Sequence, residues 1–378
     1  MYPLSPEAVV FGAIAVAIST TIGAGVLALP MAFYGTGPMG LIISAVIAFF
    51  LILSGGMVAD LLKSEHKPVQ LPALISDILG RQWKVPIYLT LIFSMYGALS
   101  AYLIGFGRQM GVLIPLPPLV ASLSFFAFGT YVVFRGTRLV EKVAQPLALL
   151  MVIFLAVISL LNFANFSPEG FISEVSGTPS LGLGVIAGTM LFALFGINII
   201  PEINYLSKGR GLEAYSISTI ICLVLYIAFS FSTIGVLGAA MTDLGTEGLA
   251  LHYGGFFEVV ISLFTLFALL TSFLGIGLCT QHIYNYDFGM PRKVATALTT
   301  LPALLIYLAS QAFGFGFLDV LSVAGELTLP VLLMLVSYAF YKASRHRTMT
   351  LPAPRLLATL TGVFYMTIFA SFFMRFIG

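Results

Sequence analysis

Apolar residues fill this chain in long runs separated by short polar stretches. The runs lie at about 8–35, 37–62, 85–113, 117–134, 142–162, 181–206, 213–240, 257–286, 293–311, 316–341 and 355–377. Each is long enough to cross the ~30 Å hydrocarbon core of a bilayer as a helix. The pattern therefore predicts an all-α integral membrane protein with eleven transmembrane helices in a single domain, 1–378. One separating stretch, Val69 to Lys84, carries Leu71, Leu74, Ile75, Ile78 and Leu79 on one face and predicts a short amphipathic helix on the membrane surface. Another, the glycine-rich stretch from Met241 to Phe256, is expected to cover an outer vestibule.

Two of the runs are interrupted. The first carries Gly23-Ala24-Gly25 and Pro30, and the sixth carries Gly196, Asn198 and Pro201. Each interruption falls roughly 15 residues into its run, about 22 Å along a helix and so near the bilayer midplane. Unwinding there releases backbone N–H and C=O groups that lipid cannot satisfy, which is tolerated only where the break lines a cavity or binds a ligand. The broken runs are the first and the sixth, which divides the chain into two five-span units, 8–162 and 181–341, with 355–377 as one extra C-terminal helix. Five is odd, so the second unit enters the membrane from the opposite side, a 5+5 inverted repeat. Paired breaks in corresponding positions of two halves mark a transporter's binding site.

Composition supports the membrane assignment: 59% of residues are hydrophobic and 8% charged, against about 25% charged in soluble domains. The cations fix an orientation. Lys63, Lys67, Arg81, Lys84, Arg135, Arg138, Lys142, Lys208, Arg210, Arg292, Lys293, Lys342, Arg345, Arg347 and Arg355 all fall on one side, leaving only Arg108 and Arg375 elsewhere, while Glu169, Glu174, Asp243 and Glu247 lie in the opposite loops. Positive loops stay inside, which puts the N-terminus in the cytoplasm, the C-terminus outside and the protein in a cytoplasmic membrane. The net charge of +2 reflects this topology and offers nothing to nucleic acid. His66, His252, His282 and His346 are scattered without metal-ligand spacing, so nothing points to an enzyme. Cys222 and Cys279 lie within spans as packing residues.

The stretch Thr21-Ile22-Gly23-Ala24-Gly25-Val26-Leu27-Ala28-Leu29-Pro30 resembles the first-span signature of permeases in the amino acid–polyamine–organocation superfamily, whose fold is leucine-transporter-like. Phe192-Ala193-Leu194-Phe195-Gly196 through Ile200-Pro201-Glu202 looks like the sixth span of the same families. Thr271-Ser272-Phe273-Leu274-Gly275 looks like the eighth span of the aromatic and hydroxy amino acid permeases, the tryptophan/tyrosine-type branch, a relative of the amino acid/auxin permease group. The resemblance covers essentially the whole chain and implies a transporter with no cofactor beyond a coupling ion.

Physical chemistry gives the first-span motif a role. Unwinding at Gly23, Ala24 and Gly25 exposes the amides and positive dipole end of the outer half-helix, which suit a carboxylate. Free carbonyls near Ile22 at the end of the inner half-helix suit an ammonium or metal cation, and the break over Phe195, Gly196 and Asn198 supplies reciprocal groups. Phe192, Phe195, Asn198 and Phe273 are candidates for an apolar side-chain pocket, with Tyr96 and Ser100 of the third span one helical turn apart and facing the core.

Coupling has two candidate sites. By resemblance, the hydroxyls of Thr271 and Ser272 join carbonyls near Ser19 and Ile22 around one Na+, an oxygen-only set that suits a hard cation. Proton-coupled relatives place a Lys in span 5, where this chain has Gln145 and Pro146, with Lys142 at the inner edge. Glu326 departs from the family pattern in span 10; it is either a proton carrier, a partner of Arg108 in an ion pair or outer gate, or a structural hydrogen-bonding group. Glu202, beside Pro201, is a candidate inner-gate or capping residue.

These readings converge on a secondary active transporter, a Na+- or H+-coupled symporter of neutral L-amino acids, aromatic or bulky hydrophobic ones first. Its partners are the amino acid and the lipid bilayer, and it acts as a monomer or homodimer. The alternatives are a transporter of another small solute or a metal ion on the same fold, or a non-transporting amino acid sensor. A metal transporter of the Nramp type needs an Asp and an Asn at the first break, where this chain offers only glycine and alanine side chains.

Overall fold

The structure, a computed structural model, describes residues 6–63, 69–167 and 182–374, with the side chains of residues 137–149 outside the described set. Lys67, Glu169, Glu174 and Arg375, and the side chains of Lys142, Gln145 and Pro146, thus lie outside the described residues. The described residues are helical with no strand. In chain order the helices are α1 (Pro6–Thr21), α2 (Leu29–Tyr34), α3 (Met39–Leu62), α4 (Leu71–Leu79), α5 (Lys84–Leu113) and α6 (Pro118–Arg135). Then follow α7 (Thr137–Ala164), α8 (Leu183–Ala193), α9 (Ile200–Leu206), α10 (Gly211–Leu237) and α11 (Gly245–Tyr253). The last five are α12 (Gly255–His282), α13 (Arg292–Phe313), α14 (Phe317–Leu327), α15 (Leu329–Ala343) and α16 (Pro354–Met374).

Among the described residues nine helical segments are long and apolar enough to cross a membrane, ten when the bent first segment counts as one span. The fifth predicted span falls in α7, whose described apolar part, Leu150–Ala164, is shorter than a crossing. Both expected breaks are present. Gly23 takes an extended backbone (φ −131°, ψ −171°), so α1 stops at Thr21 and a 3-10 turn fills Ala24–Ala28. The segment bends by 52° there. In the sixth span α8 stops at Ala193, Gly196 leaves helical geometry (φ −113°, ψ 7°), and a 3-10 turn over Ile197–Ile199 leads into α9. Pro30 and Pro201 each stand in the first turn of the helix that restarts, where a missing amide costs nothing. In the tenth span Thr328 separates α14 from α15 while keeping right-handed helical backbone, and Pro330 stands in the first turn of α15.

Helix α4 is the expected surface helix, burying Leu71, Leu74, Ile75 and Leu79. The stretch after α10 forms α11, whose first residue lies against Pro30 and Leu27; a side chain at Gly245 would meet Pro30 Cγ at 2.8 Å. This stretch therefore packs against the second half of the first span. Arg108 clamps it down. Its guanidinium reaches Glu247 at 2.8 Å and Asp243 at 3.3 Å. The expected pairing of Arg108 with Glu326 is thus replaced by pairing with Asp243 and Glu247, because Glu326 lies on the face of α14 that meets α8 and α16, away from α5. Burial pushes the Glu247 carboxyl above its usual range, and the adjacent Arg108 charge offsets part of that shift. On the cation-rich side Asp60 does comparable work. It accepts from Lys63 Nζ at 2.9 Å, from the amides of Thr350 and Leu351 at 2.9 and 3.0 Å, and from the Thr350 hydroxyl. These bonds tie the α15–α16 loop to the end of α3.

Helix α8 packs closely on α14, and two glycines set the distance. A Cβ on Gly325 would run into the Gly188 carbonyl, and one on Gly188 would meet the Ser322 carbonyl oxygen at 2.5 Å. Small residues that let backbones touch are how helices associate without a hydrophobic driving force in lipid. Gly325→Ala should therefore overpack the crossing by roughly 1–3 kcal/mol. Thermal unfolding of the purified protein should show a clearly lowered midpoint; a midpoint equal to wild type would show that the crossing is not tightly set.

Candidate functional site

The two breaks meet around one tyrosine. The Tyr226 hydroxyl, fully buried on α10, reaches the Thr21 carbonyl at 3.0 Å and the Ala193 carbonyl at 3.2 Å. Those carbonyls end α1 and α8, and helix termination leaves them without an intrahelical partner. Close approach of the breaks requires glycine at two positions. A Cβ on Gly25 would lie 3.2 Å from Ala193 Cα and from Phe192 Cδ1, and one on Gly196 would lie 2.5 Å from Thr21 Oγ1. Phe192 therefore abuts the first break directly, while Phe195, half-buried, packs against the core beside it.

Ser272 of α12 closes the first break from the other side. Its hydroxyl oxygen accepts from the Ala24 amide at 3.0 Å. The hydroxyl of Tyr102, fully buried on α5, hydrogen-bonds Ser272 in turn. A Cβ on Gly23 would sit 3.2 Å from that serine oxygen. The first break is thus bounded by Ser272, Tyr102, Phe192 and Tyr226, with the Ile22 and Thr21 end of α1 below it.

Other expected residues are placed differently. The Thr271 hydroxyl donates to its own helix at Ala268 O, 3.1 Å, and lies 3.6 Å from Met151 Sδ of α7. Ser19 likewise donates to Val16 O at 2.9 Å. Of the groups expected around Na+, the structure brings the Ser272 hydroxyl to the break beyond Ile22 and directs the Thr271 hydroxyl into a back-bond; Ser19 is expected to offer its carbonyl, on which the back-bond of its hydroxyl has no bearing. Tyr96 does not face the breaks: its hydroxyl bonds Tyr284 Oη at 2.5 Å and Leu298 O at 2.7 Å. Ser100 donates to Tyr96 O at 2.7 Å and Ala303 O at 2.8 Å. Both residues knit α5 to α13. Phe273 is buried against Gly129 and the Phe125 ring, 5.0 Å away, on the α6 side of α12. These three assignments are corrected for one reason: α5 and α12 are apolar around most of their circumference, so their sequence carries little signal of which face meets the breaks.

Glu326 is fully buried between α8, α14 and α16, its Oε1 accepting from the Ser371 hydroxyl at 3.1 Å. Gly184 and Gly188 of α8 make the room it fills. It belongs to the outer half of the sixth span rather than to the first break. Beyond the second break, Asn198 and Glu202 are exposed, as are Thr20 on α1 and Gly275 and Cys279 on α12. Cys279 follows Ser272 by two turns on the same face of α12, and the Glu202 carboxylate is its electrostatic neighbour. Toward the other side, Val26, Leu27, Ala28 and Leu29 are fully buried. The exposed residues beside the breaks thus lie toward the cation-rich side and the buried ones toward the opposite side.

Sequence reasoning missed Tyr102, Tyr226, Met151 and Ser371. Tyrosine is common in the chain, and nothing local separates a hydroxyl that serves a break from one that packs. The one available signal is that a midplane break demands donors from neighbouring spans.

Comparisons with known proteins give the fold and the family. The solved structure of MhsT in complex with L-phenylalanine shares the fold, with a TM-score of 0.62 at 16% identity over 95% of this chain and 98% of that one. The tyrosine-specific transport system 1 of Haemophilus influenzae is 27% identical over 335 residues, covering 82% of each chain. A tryptophan-specific transport protein of the same organism is 25% identical, covering 87% of this chain and 86% of its own. The glutamine transporter 2 of Aliivibrio fischeri is 25% identical over 83% of this chain and 84% of its own. The tryptophan/tyrosine permease family model matches residues 7–374. This chain is therefore a membrane-spanning transporter rather than an enzyme, and it belongs to the tryptophan/tyrosine permease family.

Proposed function

We propose that this protein is a cation-coupled symporter that carries a neutral aromatic or bulky L-amino acid by alternating access, with the substrate held between the two breaks. The observation that carries the reading is the single Tyr226 hydroxyl shared by the Thr21 and Ala193 carbonyls. It joins two unwound segments into one polar locus. The amides over Gly23, Ala24 and Gly25 bind the carboxylate; the carbonyl end of α1 near Ile22, with Gly196 and Asn198, receives the ammonium. The ring of the substrate lies against Phe192 and Phe195. Ser272, which already accepts from the Ala24 amide, holds the outer half-helix in register for this exchange.

The wider architecture follows the same reading. Eleven spans are arranged as repeats 8–162 and 181–341 plus the helix 355–377, in a bacterial cytoplasmic membrane, with the N-terminus inside and the C-terminus outside. The exposed Asn198, Glu202 and Cys279 then lie on the cytoplasmic route, with Glu202 as the inner-gate residue, and Arg108 clasps the outer loop. For the driving ion, Na+ uses Ser19, Ile22, Thr271 and Ser272, and H+ uses Glu326.

Uptake of labelled tyrosine and tryptophan into proteoliposomes, under an imposed Na+ or pH gradient, tests the proposal. Concentrative uptake driven by one gradient and competed by phenylalanine is expected; glutamine in the same assay tests a polar neutral substrate, the preference named for one relative. No uptake under either gradient and no competition by any amino acid would overturn it.

Site variants separate the parts. Ser272→Ala removes a hydrogen bond at the break worth about 1–1.5 kcal/mol, so the apparent KM should rise roughly tenfold. Thr271→Ala should leave KM within about threefold, because its hydroxyl serves its own helix. Loss of Na+ stimulation in both variants would assign sodium; loss of pH dependence in Glu326→Gln would assign the proton. An unchanged KM in Ser272→Ala would remove Ser272 from the site.

A further inference from the structure

A groove lies outside the residues that line the breaks. It encloses about 410 Å³ between α6 and α13 and is open to the lipid-facing surface. Phe126, Tyr131 and Phe134 wall it on one side, and Ala297, Thr300 and Leu301 on the other. Lys293 stands at its mouth on the cation-rich side. Two arginines flank the mouth, each seated on a wall aromatic: Arg135 lies 5.8 Å from the centre of the Tyr131 ring and Arg292 lies 5.8 Å from that of Phe134. None of the three cations forms an ion pair among the described residues.

The groove changes character with depth. From Lys293 to Leu301 it runs eight residues along α13, about 12 Å, and its inner part is apolar. Threonines line it as well, and the hydroxyls of Thr296 and Thr300 donate to their own helix. Thr130 Oγ1 is buried with no hydrogen-bond partner among the described residues, although threonine in a helix ordinarily donates to its own backbone. It lies five residues from Arg135, about 7.5 Å deeper. A ligand that fits this gradient carries an anionic group at the mouth and a hydrocarbon tail beyond.

We propose that the groove between α6 and α13 binds an anionic glycerophospholipid from the leaflet on the cation-rich side. The phosphate lies among Arg135, Arg292 and Lys293, where basic clusters at a membrane surface attract anionic lipid. The arginines are held at interfacial depth by their aromatic seats. An acyl chain fills the slot beside Tyr131 and Leu301. A free phosphate would leave the apolar length of the groove unused. The site rests on the chain spanning a membrane and is independent of the substrate reading.

Native mass spectrometry of the full chain, released from detergent with lipids of matched chain length, tests this without any transport measurement. Phosphatidylglycerol should be retained about tenfold more strongly than phosphatidylcholine, and glycerol phosphate should not displace it. Arg135→Gln with Lys293→Gln should bring phosphatidylglycerol retention down to the phosphatidylcholine level. Lys342→Gln with Arg345→Gln, which removes equal charge elsewhere on the same side, should leave it unchanged. Equal retention of the two lipids by wild type, equal loss in both double variants, or displacement by glycerol phosphate would each overturn the proposal. The wild-type lipid series decides the matter even if a variant fails to fold.

Discussion

A backbone that unwinds in the middle of a membrane must find partners for the groups it frees, and the rest of this structure is arranged around that demand. Two spans unwind at the same depth, and the carbonyl ends of α1 and α8 share the Tyr226 hydroxyl. The amide side of the first break is met by Ser272, itself backed by Tyr102. Each partner comes from a different helix, so α5, α10 and α12 are all committed to the position of the breaks. A midplane left polar and locally unwound in this way costs stability, and natural chains accept that cost where a ligand binds.

Charge is kept at the two ends of the bundle. On one side Arg108 holds the outer loop through Asp243 and Glu247; on the other Asp60 gathers Lys63 and the α15–α16 loop. Each is an arrangement of one ion with several hydrogen-bonding groups rather than an isolated surface pair, and each ties a loop to a span. Glu326 is the exception, a carboxyl at depth between α8, α14 and α16 with Ser371 donating to it. Its surroundings separate it from the break, so any part it plays in coupling acts through the α8–α14 crossing rather than by touching the substrate.

Much of this was legible in the sequence, and the residues that were not share a cause. Glycine and proline interrupting an apolar run announce a break wherever they occur, and Gly23 and Gly196 stand where that reasoning puts them. The amphipathic stretch Leu71–Leu79 was readable because its polar and apolar faces differ. Tyr96, Ser100 and Phe273 are buried, but an almost uniformly apolar helix offers no contrast from which to read which neighbour each one meets. Tyr102, two residues beyond Ser100, is the one that reaches the break region. Likewise the neighbours Thr271 and Ser272 differ only in direction, one toward Met151 and the other toward Ala24. The partners of Arg108 are more than 130 residues away in sequence, and nothing local selects them over Glu326.

The central claim is that both breaks form one amino acid site. A cryo-EM map of the protein in nanodiscs, saturated with tryptophan or tyrosine, tests it most directly. The account predicts ligand density between Gly23–Gly25 and Phe195–Asn198, with the carboxylate within hydrogen-bond distance of the first-break amides and the ring against Phe192. Ligand density confined to another part of the molecule, with the Ser272–Ala24 bond and both breaks unchanged, would contradict it.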